Sequence, residues 1–176
     1  MQIPNHVTNY MIYKDGTQFI GAGNLTLPDL KNLEDPLKGA GIFGEIAMPV
    51  QCHFQPYSVK VTWLTITDTA LFSTVQNGAN LDCWAALQFH DSSTNKIIHH
   101  GWRFQMATAP KGFNFGKLEI GTKQECETEY EVISYKILYD GNIVCHIDKE
   151  NHICRWFNGQ ALEDEALVIR QLIGLT

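Results

Sequence analysis

Four clusters in this chain carry residue types at spacings that could do chemistry. The first is GAGIFG, Gly39 to Gly44, which spells G-x-G-x-x-G, the turn that lays a pyrophosphate against a helix N-terminus in dinucleotide-binding folds. That chemistry needs a strand before the turn, a helix after it and an acidic residue about 20 positions on. Here "PDLKNLEDPLK" precedes it, with Pro28 and Pro36, and "EIAMPVQCHF" follows, where Pro49 and an alternating pattern oppose a helix. Position 64 is Leu64, which has no carboxylate to hold a ribose. We therefore expect no nucleotide and no other cofactor, and read the glycines as loop residues that supply positive φ.

The second cluster is CHIDKENHIC, with Cys145, His146, His152 and Cys154. Thiolates and imidazoles suit zinc, and a structural site usually gathers four. The stretch reads as a tight hairpin, however, in which successive side chains point to opposite faces. If Ile147 faces His152, then Cys145, His152 and Cys154 share a face and His146 is opposite. A one-residue slip gathers His146, His152 and Cys154 but loses Cys145. Either register splits the set, so no metal is expected.

His90, His99 and His100 flank the turn DSSTN beside Asp91, with no serine or cysteine placed as a nucleophile. They read as surface residues of a hairpin. Glu125, Glu127, Glu129 and Glu131 alternate in ECETEYE and would face one side of a strand. Paired carboxylates can do acid–base work, but four in a row read as a solvated acidic stripe. No catalytic residue emerges, and the chain is not expected to be an enzyme. Trp63, Trp84, Trp102 and Trp156 fall in predicted strands or at their edges, where aromatics serve a core or an interface. A sugar-binding platform is the alternative.

The elements that must position these residues are mostly strands. Asp15–Gly16 separates two apolar and aromatic runs, a hairpin signature. Val59, Val61 and Trp63 alternate with Lys60 and Thr62 in a pattern that runs to Ile66. Two long strands surround DSSTN, and another pair meets at Asp140–Gly141. Two helices are expected. In TDTALFSTVQNG, Thr67 or Asp68 would cap the start and Gly78 would end it. In LEDEALVIRQLIGL, Leu162, Ala166, Ile169 and Ile173 recur at helical spacing. Glu163, Asp164 and Glu165 would sit at that helix's positive end, Arg170 in its other half, and Gly174 would close it. The fold class is mainly β, an antiparallel β-sandwich or barrel with one central and one C-terminal helix.

Bulk properties set the frame. The 176 residues, 44% hydrophobic and 18% charged, suit a single domain, 1–176, that can bury about 70% of its unfolded surface. There is no linker, repeat or low-complexity segment. Neither a signal peptide nor a membrane span is expected. Five cysteines, an odd number, suggest reduced thiols in a cytosolic setting rather than a disulfide framework. The net charge is −6 with no cluster of lysines or arginines, so the chain is not built to grip nucleic acid.

The order and content of several segments resemble the major tail tube proteins of contractile-tailed bacteriophages and phage-tail-like particles. They are IPNHVTNYMIYKDG (3–16), FIGAGNLTLPDL (19–30), KGAGIFGEIAMPV (38–50) and FNGQALEDEALVIRQLIGL (157–175). From about Pro56 to Tyr139 the likeness is only an alternation of strands with one helix. The resemblance implies a tail-tube fold and a structural role. Homohexameric rings stack into a hollow tube inside a contractile sheath, each subunit lending strands to a barrel that lines the channel. It implies contacts with sheath, baseplate and tape-measure proteins, assembly in the bacterial cytoplasm, and DNA that passes through the lumen without being held. Under it, Gly39, Gly41, Gly44 and Glu45 belong to a loop that reaches a neighbouring subunit. A DNA-free bacteriocin or contractile injection apparatus built on the same tube is the first alternative. A carbohydrate-binding β-sandwich is a more remote one.

Overall fold

A computed structural model of the chain describes residues 1–16, 18–19, 23–64 and 70–175. The long strands are β1 (Gln2–Lys14), β7 (Ala79–Asp91), β8 (Lys96–Asn114) and β9 (Cys126–Tyr139). With β2 (Gln18–Phe19), β10 (Asn142–Asp148), β11 (Ile153–Phe157) and β12 (Leu162–Asp164) they form one antiparallel sheet in the order β12-β11-β10-β9-β8-β7-β1-β2. Turn chemistry fixes the connections. Asp140 and Gly141, at φ 45° and 84°, join β9 to β10, and Asp15 and Gly16, at 51° and 76°, follow β1; these left-handed values are what Asp-Gly pairs supply in hairpins.

The sheet gains a second layer by changing partners along β9. The second half of β9 pairs with β10, and the first half pairs with β6 (Ser58–Trp63), which in turn pairs with β3 (Gly23–Thr26). A register shift between Ala107 and Thr108 opposite Val132 and Ser134 marks the change, as bulges do where a sheet bends. The core fills the fold. Val59, Val61 and Trp63 of β6 and Tyr130 and Val132 of β9 meet Ile12, Leu81, Cys83 and Met106 from β1, β7 and β8. The alternation expected through Trp63 is therefore present; Thr65 and Ile66 lie outside the described residues. Trp63 Nε1 donates to Thr128 Oγ1 at 3.0 Å, which lets both polar atoms lie buried.

Helix α1 (Ala70–Asn77) packs on β8, with Phe72 against Phe113 and Phe115. The expected caps Thr67 and Asp68 lie outside the described residues. Gly78 ends the helix at φ 73°, and its N–H donates to Thr74 O at 2.9 Å. A Cβ there would stand 2.3 Å from the Thr108 carbonyl oxygen, so no other residue fits without movement.

The fold class is as expected, mainly antiparallel β with one central and one C-terminal helix; β12 and β2 end the sheet's order, so it is not closed into a barrel within one chain. One expectation needs correction. The C-terminal helix is shorter than its spacing suggested. Leu162–Asp164 continue as a strand paired with β11, through Phe157↔Leu162, Trp156↔Glu163 and Arg155↔Asp164, and α2 covers only Leu167–Leu172. Pairing with an existing edge satisfies backbone groups that another helical turn would have had to satisfy alone. Gly174 closes α2 as expected, at φ 80°, its N–H donating to Gln171 O at 3.2 Å.

Candidate assembly surfaces

The GAGIFG segment forms the tip of a separate two-stranded sheet, β4 (Asn32–Leu37) and β5 (Ile46–Phe54). Gly41 and Gly44 adopt φ 94° and 111°, and a Cβ on Gly39, Gly41 or Gly44 would meet nothing within 4 Å. No helix follows, so the nucleotide turn is absent on geometry as well as on sequence. The arm is apolar where a free hairpin should be polar. Leu33, Leu37, Ile46, Met48 and Val50 are all exposed, and Phe43 at the tip is 110% exposed. Glu45 stands beside them, also exposed. Exposed apolar surface of this extent marks interaction sites.

A second apolar surface covers the C-terminus. Leu167, Val168, Leu172, Ile173 and Leu175 are exposed, and α2 buries no residue of its own. Its anchor is ionic. Asp164 Oδ2 accepts from Arg170 Nη2 at 2.7 Å and Arg155 Nε at 3.1 Å, and Asp164 Oδ1 accepts the Ala166 N–H at 3.2 Å. Burial opposes the charged carboxylate, but the two guanidinium groups outweigh it and hold its pKa below the ordinary value. A groove of about 500 Å³ lined by Val7, Leu25, Leu27, Leu87 and Trp102 offers a third apolar surface.

The face of the sheet turned away from the core mixes polar and apolar residues, with Met11 and Trp84 exposed on it. One register row runs Tyr13, Asp82, Gln105, Lys136, His146, Arg155 and Asp164 across the strands. Asp82, only 4% exposed, accepts two hydrogen bonds from Arg103 Nε at 2.9 and 3.1 Å, and Arg103 in turn lies 4.2 Å over the Trp84 ring.

The supposed acidic stripe is not one. Glu127, Glu129 and Glu131 do share the outer face of β9, but lysines from three other places interleave with them. Lys60 lies 3.6 Å from both Glu127 and Glu129, Lys111 lies 3.0 Å from Glu129, and Lys149 lies 3.1 Å from Glu131. Glu125 precedes the strand in a left-handed conformation, φ 53°, and takes no part. The result is a charge-balanced ladder, with Glu129 held below the usual carboxylate range first by Lys111.

The histidines disperse. His100 Nδ1 lies 2.5 Å from Asp140 Oδ2 and stacks on Tyr139, while His90 Nε2 lies 2.9 Å from Asn95 Oδ1. Asp91 is engaged by Ser93 and Thr94, which pull its pKa down to about 2. The cysteine hairpin takes neither expected register. Ile147 faces Cys154, and Cys145 faces Trp156. Asp148 accepts the N–H groups of Glu150 and Asn151, which builds a turn that includes His152 at φ 52°. Cys145 and Cys154 therefore share the buried face and His146 points away. What sequence reasoning missed is the neighbour of Cys154: the Cys52 thiol and the Glu165 carboxylate lie beside it.

Among the described residues, no helix is long and apolar enough to cross a membrane. No curated protein matches the chain. The family model described as phage tail tube protein FII matches residues 4–174. That span covers the core, the arm and the C-terminal helix together. Together with a mainly antiparallel β fold, it places this chain in the phage tail tube protein family, as a structural component of the tail.

Proposed function

We propose that this chain is the ring subunit of a contractile tail: six copies close into a ring, rings stack into the tube, and the β4–β5 arm bears Gly39, Gly41, Gly44 and Glu45 to a neighbouring copy. The exposed apolar arm is the observation that carries this reading. A hairpin of two strands with Leu37, Phe43, Ile46 and Met48 in water is marginal alone. A second copy would bury that surface. Ring closure would also pair the free sheet edges at β2 and β12, which otherwise invite uncontrolled association.

The outer face of the sheet would line the channel as part of a barrel shared between copies. Arg103, Arg155, Lys60, Lys111 and Lys149 there are already paired with carboxylates, and a net charge of −6 per chain disfavours a grip on DNA phosphates. DNA could then pass without being held. The outer surface would face the sheath, and tube ends would meet baseplate and tape-measure proteins. The virion tail is the destination, reached by assembly in the host cytoplasm. Nothing in this reading requires catalysis or a cofactor.

The test is assembly of the purified chain, followed by negative-stain microscopy and light scattering. Stacked rings of sixfold symmetry are expected. Gly41→Val should leave circular dichroism and monomer melting unchanged but shorten or abolish tubes. In the monomer the loop can relax around a left-handed penalty of about 1–2 kcal/mol; in a tube every copy must adopt the docked shape. A wild-type chain that stays monomeric at high micromolar concentration would overturn the ring. Full-length Gly41→Val tubes at the wild-type threshold would remove the loop from the interface.

A further inference from the structure

We infer that Cys52, Cys154 and Glu165 form a binding site for one thiophilic divalent cation, zinc by preference, where the β4–β5 arm joins the body. The two Sγ atoms and a Glu165 carboxylate oxygen all lie within 4.8 Å of one another. Tetrahedral zinc with Zn–S bonds of about 2.3 Å sets its sulfurs roughly 3.8 Å apart. A contraction of no more than about 1 Å would therefore close the set around an ion. Two thiolates and one carboxylate select a soft or borderline cation, whereas calcium and magnesium require oxygen ligands. Glu165 is exposed, so the fourth position opens to solvent and suits a water ligand.

The backbone is shaped to bring these atoms together. Asn32 pairs with Phe54 and Glu34 with Pro49, so Leu33 alone opposes the whole stretch from Val50 to His53. Within that bulge Cys52 takes φ 60°, a conformation that disfavours any residue with a Cβ. The bulge is what sets the half-buried Cys52 thiol, in a strand exposed from Ile46 to Gln51, beside Cys154. Cys154 is held from both sides, paired with Ile147 across β10, and its carbonyl accepts the Glu165 N–H at 2.9 Å. That hydrogen bond fixes the third ligand relative to the second. An ion here would pin the arm's root to the β11–β12 edge, independently of whether the arm docks on another copy.

The expectation of no metal considered Cys154 only with its own hairpin, and His146 is turned away from this cluster. The test uses the full chain, kept reduced by a phosphine that does not chelate, and titrated with Co²⁺ alone and then with Zn²⁺. A thiolate-to-cobalt charge-transfer band should grow to one equivalent per chain and be displaced by zinc. Cys52→Ser should abolish it. Glu165→Gln, a surface change that leaves folding intact, should weaken affinity by more than the roughly 10–100-fold typical of losing a bond that supports a metal ligand. His146→Gln should bind as the wild type does. A wild-type chain with no charge-transfer band overturns the site, as does a band unchanged in both Cys52→Ser and Glu165→Gln. A Cys52–Cys154 disulfide forming in air, with no cobalt band in the reduced chain, would reassign the pair to thiol oxidation and overturn it too.

Discussion

Strands β5 and β6 carry the same kind of pattern and meet opposite fates. In β6, Val59, Val61 and Trp63 alternate with polar residues and are at most 1% exposed. In β5, Ile46, Met48 and Val50 alternate just as regularly and are 48%, 52% and 38% exposed. Alternation tells a strand that it has an apolar face. It does not say whose atoms will cover that face. For β6 the cover comes from β1, β7 and β8 of the same chain; for Ile46, Met48 and Val50 of β5 none is supplied among the described residues. The chain belongs to a tail tube family, and under the proposed function that uncovered face is a subunit interface.

The largest effect that would test this contrast is truncation in each strand. Trp63→Ala should destabilise the unassembled chain by about 3–5 kcal/mol, losing the indole's packing contacts and its hydrogen bond to Thr128. Met48→Ala should change it by less than about 0.5 kcal/mol while raising the concentration needed for tubes. Urea titration and a sedimentation assay separate the two. An equal loss of stability would mean the arm is covered within its own chain.

Glycines sharpen the same comparison. Gly78→Ala combines positive φ with a 2.3 Å approach to the Thr108 carbonyl, and should cost at least the 1–2 kcal/mol, roughly, of a left-handed residue. Gly41→Ala meets open space, and monomer melting should hardly move. A smaller effect concerns the C-terminal surface. The Asp164 carboxyl is held below its ordinary pKa, so the unfolded chain binds more protons than the folded one as pH falls. The stabilisation it gives is complete above the unfolded value of about 4 and is lost progressively below it. The protection of α2 amides, measured relative to their intrinsic exchange rates, should fall at acid pH before that of β6 amides, and Asp164→Asn should remove the difference. Smallest of all, Lys111→Ala breaks a half-exposed part of the glutamate–lysine ladder and should leave stability close to that of the wild type, measured by the same urea titration.

Much of the fold was legible because its determinants are local. Asp15–Gly16 and Asp140–Gly141 need left-handed backbone wherever they stand, and they form the turns expected of them. Gly78 ends α1 for the same reason. The alternation through Val59, Val61 and Trp63 located a core strand. Where reading failed, the deciding interaction was distant. Leu162–Asp164 have a helical spacing, but an open edge on β11 captured them. The glutamates of β9 look acidic alone; Lys60, Lys111 and Lys149 reach them only once three other segments are in place.

The sequence by itself determined the class of fold, the turns, the central helix, the absence of a working nucleotide turn at Gly39–Gly44, and the family. All of these depend on side-chain alternation and backbone preferences among near neighbours, or on residue order along the chain. Tertiary structure decided the hairpin register that buries Cys145 and Cys154, the bulge that brings Cys52 to Cys154, the charge balance of the ladder and the exposure of the arm. Those depend on which distant strands pair, and a shift of one residue in pairing moves every side chain to the other face.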